Sequence, residues 1–204
     1  MLTLDHIAVS TEALETGMAE IEADLGVELA PGGQHEAMGT WNRLLSLGPE
    51  EYLELIAIEP GAPGPDQPRW FDLDNFRGAT RATTWICRCP DLDAALAAAP
   101  DGAGVPWDLQ RGDLKWRMAV PRDGKLPFDG LFPAMIEWQS AAHPATALPD
   151  RGVRLQSLTL VSPEAETLSA ALAPLITDPR LSIEAGEIPR LMVTLSTPTG
   201  DVTL

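Results

Sequence analysis

One order of elements, a strand, a helix and three further strands, runs through the chain twice, and this repetition restricts the fold more than any single motif. The first copy opens with the strand LTLDHIAVS at 2–10. STEALETGMAEIEADLG then reads as a helix: Leu14, Met18, Ile21 and Leu25 form an apolar stripe, Ser10 or Thr11 can cap its start, and Gly26 ends it. VELAPGGQHEAM, TWNRLLSLG and EYLELIAIEP follow as extended segments. The second copy comprises RATTWICRC, the short helix PDLDAALAAAP with Pro90 at its start, and candidate strands in VPWDLQRGDLKW, RMAVPRDG and PAMIEWQS. A third, shorter pass begins near VRLQSLTLVSPEAETLSAALAPL, with Leu158 at the point His6 holds in the first. The expected units are βαβββ module one over 1–77, module two over 78–144 and a truncated third module over 150–204.

A βαβββ unit covers one face of its sheet with its helix and leaves the other open. Two units side by side are expected to make an α+β fold: a curved, mixed eight-stranded sheet around a cavity, with helices outside. Because strand side chains alternate, His6 and Glu54 should face the cavity while Ile7, Val9, Leu53 and Leu55 face the helix. Aligning Val9–Glu12 with Arg88–Asp91 puts Trp85 at the His6 point, and aligning YLEL with MIEW puts Glu137 at the Glu54 point. Trp85 is then a flat apolar wall of the cavity, and Trp138 faces the helix layer. His6 itself has two readings, a half-buried histidine satisfied by the backbone, or a ligand or base.

Composition removes several function classes. A formal charge of -16 repels phosphate backbones and anionic headgroups, so neither nucleic acid nor a membrane surface is an expected partner. No apolar run approaches the ~18 residues that span a bilayer. Cys87 and Cys89 share one strand face in a geometry unsuited to a disulfide, and no second Cys/His pair completes a zinc set, which fits a reducing, cytoplasmic location. GxGxxG, Walker A, GxSxG and HExxH patterns are all missing, so no nucleotide cofactor is expected.

Paired βαβββ modules with LDHIAVS, GGQHEAMGTWNRLLSLG, YLELIAIEP and FPAMIEWQSAAHP resemble the glyoxalase-like branch of the vicinal oxygen chelate superfamily, which includes glyoxalases, extradiol dioxygenases and bleomycin-binding proteins. The resemblance implies a single divalent metal (Fe, Mn, Zn, Ni or Co) held by residues on the first and last strands of both modules. Carried over, these points are His6 and Glu54, then Trp85 and Glu137. His6, Glu54 and Glu137 are ligand types; an indole cannot ligate. His35 can restore a His/His/carboxylate set or be an ordinary loop histidine, and His143 after the last strand of module two is a weaker candidate. Glu54, Glu137 and His35 are the expected acid–base groups, with Trp85, Asn42 and Arg43 binding a small-molecule substrate. The implied function is a metal-assisted lyase, isomerase or dioxygenase acting on a small oxygenated metabolite. The alternative is a metal-free binding or sequestering protein of the bleomycin-resistance type. An incomplete third module leaves a strand edge to pair, so a homodimer is expected; a monomer mass by light scattering would contradict it.

Overall fold

All 204 residues are described by a computed structural model. β1 (Thr3–Ser10), α1 (Leu14–Leu25), β2 (Ala30–His35), β3 (Thr40–Ser46) and β4 (Tyr52–Ile58) form the first unit. β5 (Arg81–Arg88), α2 (Leu92–Ala98), β6 (Val105–Arg111), β7 (Leu114–Val120) and β8 (Ala134–Trp138) form the second. Their eight strands make one sheet in the order β2-β3-β4-β1-β5-β8-β7-β6. Each unit contributes four neighbouring strands, and the antiparallel pair β1–β5 joins them. Within each unit the first and last strands run parallel, because the helix crossover returns the chain in the same direction. After the short α3 (Pro144–Ala147), β9 (Arg154–Ser162), α4 (Ala165–Leu172), β10 (Leu181–Ala185), β11 (Arg190–Thr197) and β12 (Gly200–Thr203) form a separate sheet, ordered β10-β9-β11-β12. No helix is long and apolar enough to cross a membrane.

Local chemistry fixes the helix ends, with small departures from expectation. Gly26 ends α1 in the left-handed conformation at φ 67°, where its N–H reaches the Glu22 carbonyl. Neither Ser10 nor Thr11 caps α1: the N-cap is Ala13, and the Thr11 hydroxyl instead donates to the Ala13 carbonyl. Asp91, next to Pro90, caps α2 by accepting from the Ala94 N–H at 2.9 Å.

The helix side of the large sheet carries the main core. Ile7, Val9, Leu53 and Leu55 pack with Leu14, Ile21 and Leu25 of α1, as alternation dictates. The third module joins the same core: Leu155 and Leu158 approach Leu4 and Trp85, while Leu168 and Leu172 of α4 seal its sheet. A second apolar cluster, including Ala8, Ile56, Ile86, Trp116, Met118 and Ile136, fills the concave side.

Two departures from simple alternation decide what faces the cavity. On β1, Leu4 pairs with Cys87 and His6 with Ile86, so Asp5 is an extra residue in a β-bulge. Leu4 consequently joins the helix-side core instead of sharing the face of His6, and Asp5 turns inward beside it. The bulge leaves the Leu4 carbonyl to accept from Arg88 Nη1 at 3.0 Å. On β5, counting back from the N-caps Ala13 and Asp91 places Thr84, not Trp85, at the His6 point. A one-residue slip reverses every side chain of a strand. Trp85 therefore lies in the helix-side core, 1% exposed, with its indole N–H donating to the Leu131 carbonyl at 2.8 Å.

Truncating so buried a side chain tests this orientation. Trp85→Ala is expected to lower unfolding free energy by ~3–5 kcal/mol in denaturant titration. A loss under about 1 kcal/mol, ordinary for an exposed position, would return the indole to the cavity rim.

Candidate functional site

The concave face gathers charge around His6. Its Nδ1–H donates to Asp5 Oδ1 at 2.7 Å, its ring stacks on Tyr52 at 4.4 Å, and its Nε2 faces Glu54 Oε2 across 3.6 Å, beyond hydrogen-bond length. Asp5 Oδ2 accepts from the Trp138 indole N–H and from His143 Nε2–H, each at 3.0 Å. Because His143 Nδ1 accepts from the Ala145 N–H at 3.3 Å, its proton belongs on Nε2. His143 thus holds a carboxylate and caps α3, in place of the ligand role considered for it.

Asn42 on β3 orients the other end of the site. Its amide nitrogen donates to Glu54 Oε1 at 2.5 Å, and its Oδ1 accepts from the Gly33 N–H at 2.8 Å. Gly32 is required here, because a side chain on it would collide with Asn42, and one on Gly33 would press on the Arg111 stem. The sheet curls until its two edge strands, β2 and β6, approach each other. Arg111 at the end of β6 spans that gap, donating to His35 Nε2 at 3.0 Å and reaching Asn42 Oδ1 at 3.4 Å. His35 must then be neutral, with its Nδ1–H on Thr40 Oγ1 at 3.1 Å.

These groups line a cavity of about 30 Å³ walled by Trp70, Phe71, Trp116, Met118, Ile136 and Trp138. It holds a water-sized molecule or the reacting end of something larger. Trp70 lines this cavity, and its indole N–H is buried without a partner.

Sequence-expected residues divide by face. His6, His35, Asn42 and Glu54 converge. Glu137 does not: its carboxylate accepts from the Leu92 N–H at 2.9 Å and from Arg117 at 3.3 Å, stabilising the start of α2 on the outer side. Its neighbours Ile136 and Trp138 face the cavity instead, which reverses the expected placement of Trp138. Arg43 sits between two cavity-lining residues, Asn42 and Leu44, and alternation turns it to the other face, as Trp85 is turned on β5. Arg111 supplies the cavity guanidinium. Asp5, Trp70 and Trp138 escaped sequence reasoning because a bulge, a long loop and an offset register place them, whereas Tyr52 follows from the same alternation as Glu54, two residues on.

The donor set does not fit a divalent metal. Ala8 pairs with Glu54 and Ile86 with Ala134, so Thr84 and Ala134 occupy the module-two counterparts of His6 and Glu54, and neither supplies a ligand of the kind expected. The His35 Nε2 lone pair is taken by Arg111, whose charge repels a cation, and Glu54 Oε1 is taken by Asn42. No group of three or more His, Cys, Asp and Glu side chains is set to hold an ion. The cysteines are not reactive thiols either, since burial pushes Cys87 well up and Cys89 to about 11.

Comparisons with known proteins agree with this architecture. Residues 4–176 match the glyoxalase-like domain family. A hypothetical protein from Staphylococcus aureus superposes with a TM-score of 0.63 at 14% identity, over 95% of this chain and 90% of its own. Methylmalonyl-CoA epimerase from Streptomyces coelicolor gives 0.44 at 18% identity, over 70% of this chain and 98% of that one. A hypothetical protein from Bacillus halodurans gives 0.47 at 16% identity, again over 70% and 98%. No curated protein sequence matches.

Burial and pairing together set the charges. Burial alone would lower His6, but the Asp5 hydrogen bond and the Glu54 carboxylate outweigh it and raise His6 to about 9. Burial would raise Glu54, yet His6 and Asn42 hold it down at about 2, and His143 and His6 keep Asp5 well below the usual carboxylate range. His35 is pushed down to about 4 by burial, with Glu54 opposing and Arg111 assisting. The raised His6 gives stability that is complete below its ordinary 6.5 and lost as pH rises through 9. Depressed His35 acts in reverse: the unfolded chain takes up its proton below 6.5 and the native site only near 4, so stability falls over that interval. Glu54 adds a loss from 4.5 down to about 2. The melting temperature should therefore peak near pH 6.5 and decline on both sides. His35→Gln flattens the acid flank, and His6→Asn the alkaline one; a profile level across both flanks in the parent protein would refute the assigned charge states.

Proposed function

The chain belongs to the glyoxalase-like domain family of the vicinal oxygen chelate superfamily, and from that premise we propose that it moves a proton on a small oxygenated acid, as an isomerase or lyase, without a metal. The observation that carries this reading is the buried His6–Glu54 pair, an acid and a base facing each other across 3.6 Å in a tryptophan-walled pocket. The metal-assisted lyase, isomerase or dioxygenase implied by resemblance has no matching donor set in module two. The binding-protein alternative loses its ligand wall with Trp85.

The chain's own groups suffice for a proton transfer. A substrate whose reacting atoms contact both His6 Nε2 and Glu54 Oε2 from the cavity side competes with the pair's mutual attraction and weakens it. His6 then falls from about 9 and Glu54 rises from about 2, so their proton affinities approach one another, the condition for efficient acid–base exchange near neutral pH. Glu54 takes the substrate proton at Oε2, and His6 delivers one at Nε2. Asp5 fixes the His6 ring and Asn42 fixes the Glu54 carboxylate. Arg111 offers a charge-assisted contact to a substrate carboxylate. Apolar walls exclude water and strengthen each of these interactions.

Exchange of carbon-bound hydrogen in D2O, followed by NMR over a panel of 2-hydroxy and 2-oxo acids, tests the reading without a known product. Exchange is expected to persist in chelator and in protein with substoichiometric metal by elemental analysis. His6→Asn and Glu54→Gln should each slow it ~10²–10⁴-fold, the usual span of general acid–base catalysis. Activity that requires a stoichiometric metal would overturn the proposal; tight binding without exchange would restore the sequestering role.

A further inference from the structure

A larger cleft lies outside the His6 pocket, between the rim of the eight-stranded sheet and the C-terminal sheet. Its volume is about 700 Å³, within the ~300–1,000 Å³ of sites that hold small organic ligands. Phe76, Leu126, Leu131, Leu191 and Met192 give it apolar walls, and Arg81, Lys125 and Arg190 stand around them. Acidic residues outnumber basic ones 30 to 14 in this chain, yet three exposed cations meet here, and none of the three has a carboxylate within ion-pair distance. Of the two side-chain carboxylates in the lining, Asp72 accepts from Asn75 at 2.6 Å, and Asp129 forms no ion pair with any of the three.

Two further observations converge on the cleft. Met192, 38% exposed, lies in the lining, and Ile188, four residues before it, is 69% exposed; the one other large apolar residue so exposed is Met1. Isolated apolar exposure is ordinary; apolar exposure at a concave, cation-bearing site is a feature of ligand recognition. Three lining residues are in the left-handed region, Phe71, Asp72 and Asp129 at φ 59°, 52° and 55°, as is Phe128 beside Asp129 at 56°. Non-glycine residues rarely adopt this conformation, and such strain concentrates where structure is held for binding. Phe71 is common to the linings of the cleft and the His6 pocket, where it stacks on Trp70 with centroids 5.5 Å apart.

We propose that this cleft binds an amphipathic organic anion, its apolar body between the two walls and its carboxylate or phosphate head on Arg81, Lys125 and Arg190. The site does not depend on the reaction assigned to His6 and Glu54. Apolar walls alone would take a cationic amphiphile equally well, so the three cations decide the sign of the ligand.

Calorimetric titration with dodecanoate and dodecyl phosphate, both below micelle-forming concentrations, tests the proposal on the full chain. Saturable binding at one per chain is expected, with the tighter of the two identifying the head group. Dodecyltrimethylammonium should bind about tenfold more weakly or worse, as should dodecanoate to the triple variant Arg81→Gln, Lys125→Gln, Arg190→Gln. His6→Asn should leave the affinity unchanged, which separates this cleft from the inner pocket. Equal binding of anion and cation needs no variant to be read and would overturn the proposal. So would an unchanged affinity in the triple variant, loss of binding in His6→Asn, or no saturable binding at all.

Discussion

The carboxylate of Asp5 is the fixed point on which the concave side depends. It is fully buried, and four donor-bearing groups surround it: His6 from its own strand, Arg88 from β5, Trp138 from the end of β8, and His143 from the segment leading to the third module. One charge therefore ties both units of the large sheet to the linker that follows them. A buried carboxylate is tolerated because its donors are complete, and removing one partner of such a set costs ~3–5 kcal/mol. The same interaction orients His6, so the group that organises packing also sets the direction of its Nε2 toward Glu54.

Sheet closure supplies the second condition. Curling brings β2 and β6 near enough for Arg111 to cross between them, and the Gly32-Gly33 pair leaves room for that crossing. Arg111 then helps keep His35 neutral and reaches the Asn42 amide that bonds Glu54. Here His6 balances the Glu54 carboxylate and Asn42 hydrogen-bonds it. One architecture can carry different chemistry when the charges at its centre are balanced differently.

The third module acts from the outside. Its apolar face covers Trp85 and Leu4 on the helix side of the large sheet, while Arg180 bonds both Glu51 oxygens at 2.7 and 2.8 Å and Asp178 beside them. A sheet face that would stay partly exposed in a two-unit protein is thus closed, and the junction with the second unit creates the larger cleft.

Much of this architecture is legible in the sequence. Repeated strand and helix signals determine two βαβββ units and a shorter third, and period-two alternation on β4 is regular enough to send Glu54 inward and Leu53 and Leu55 outward. The same alternation points His6 into the cavity, whereas His35 stands out only through the family resemblance. The errors fall where local pattern carries no register. A bulge at Asp5 and a one-residue offset at Trp85 and Glu137 leave no trace in composition or spacing, because either face of those strands offers an apolar neighbourhood. The meeting of Arg111 with His35, 76 positions apart, depends on how far the sheet curls. Sequence alone determined which strands exist and which residues are chemically able; tertiary structure decided which of them face one another, since pairing register and curvature arise from contacts between distant strands.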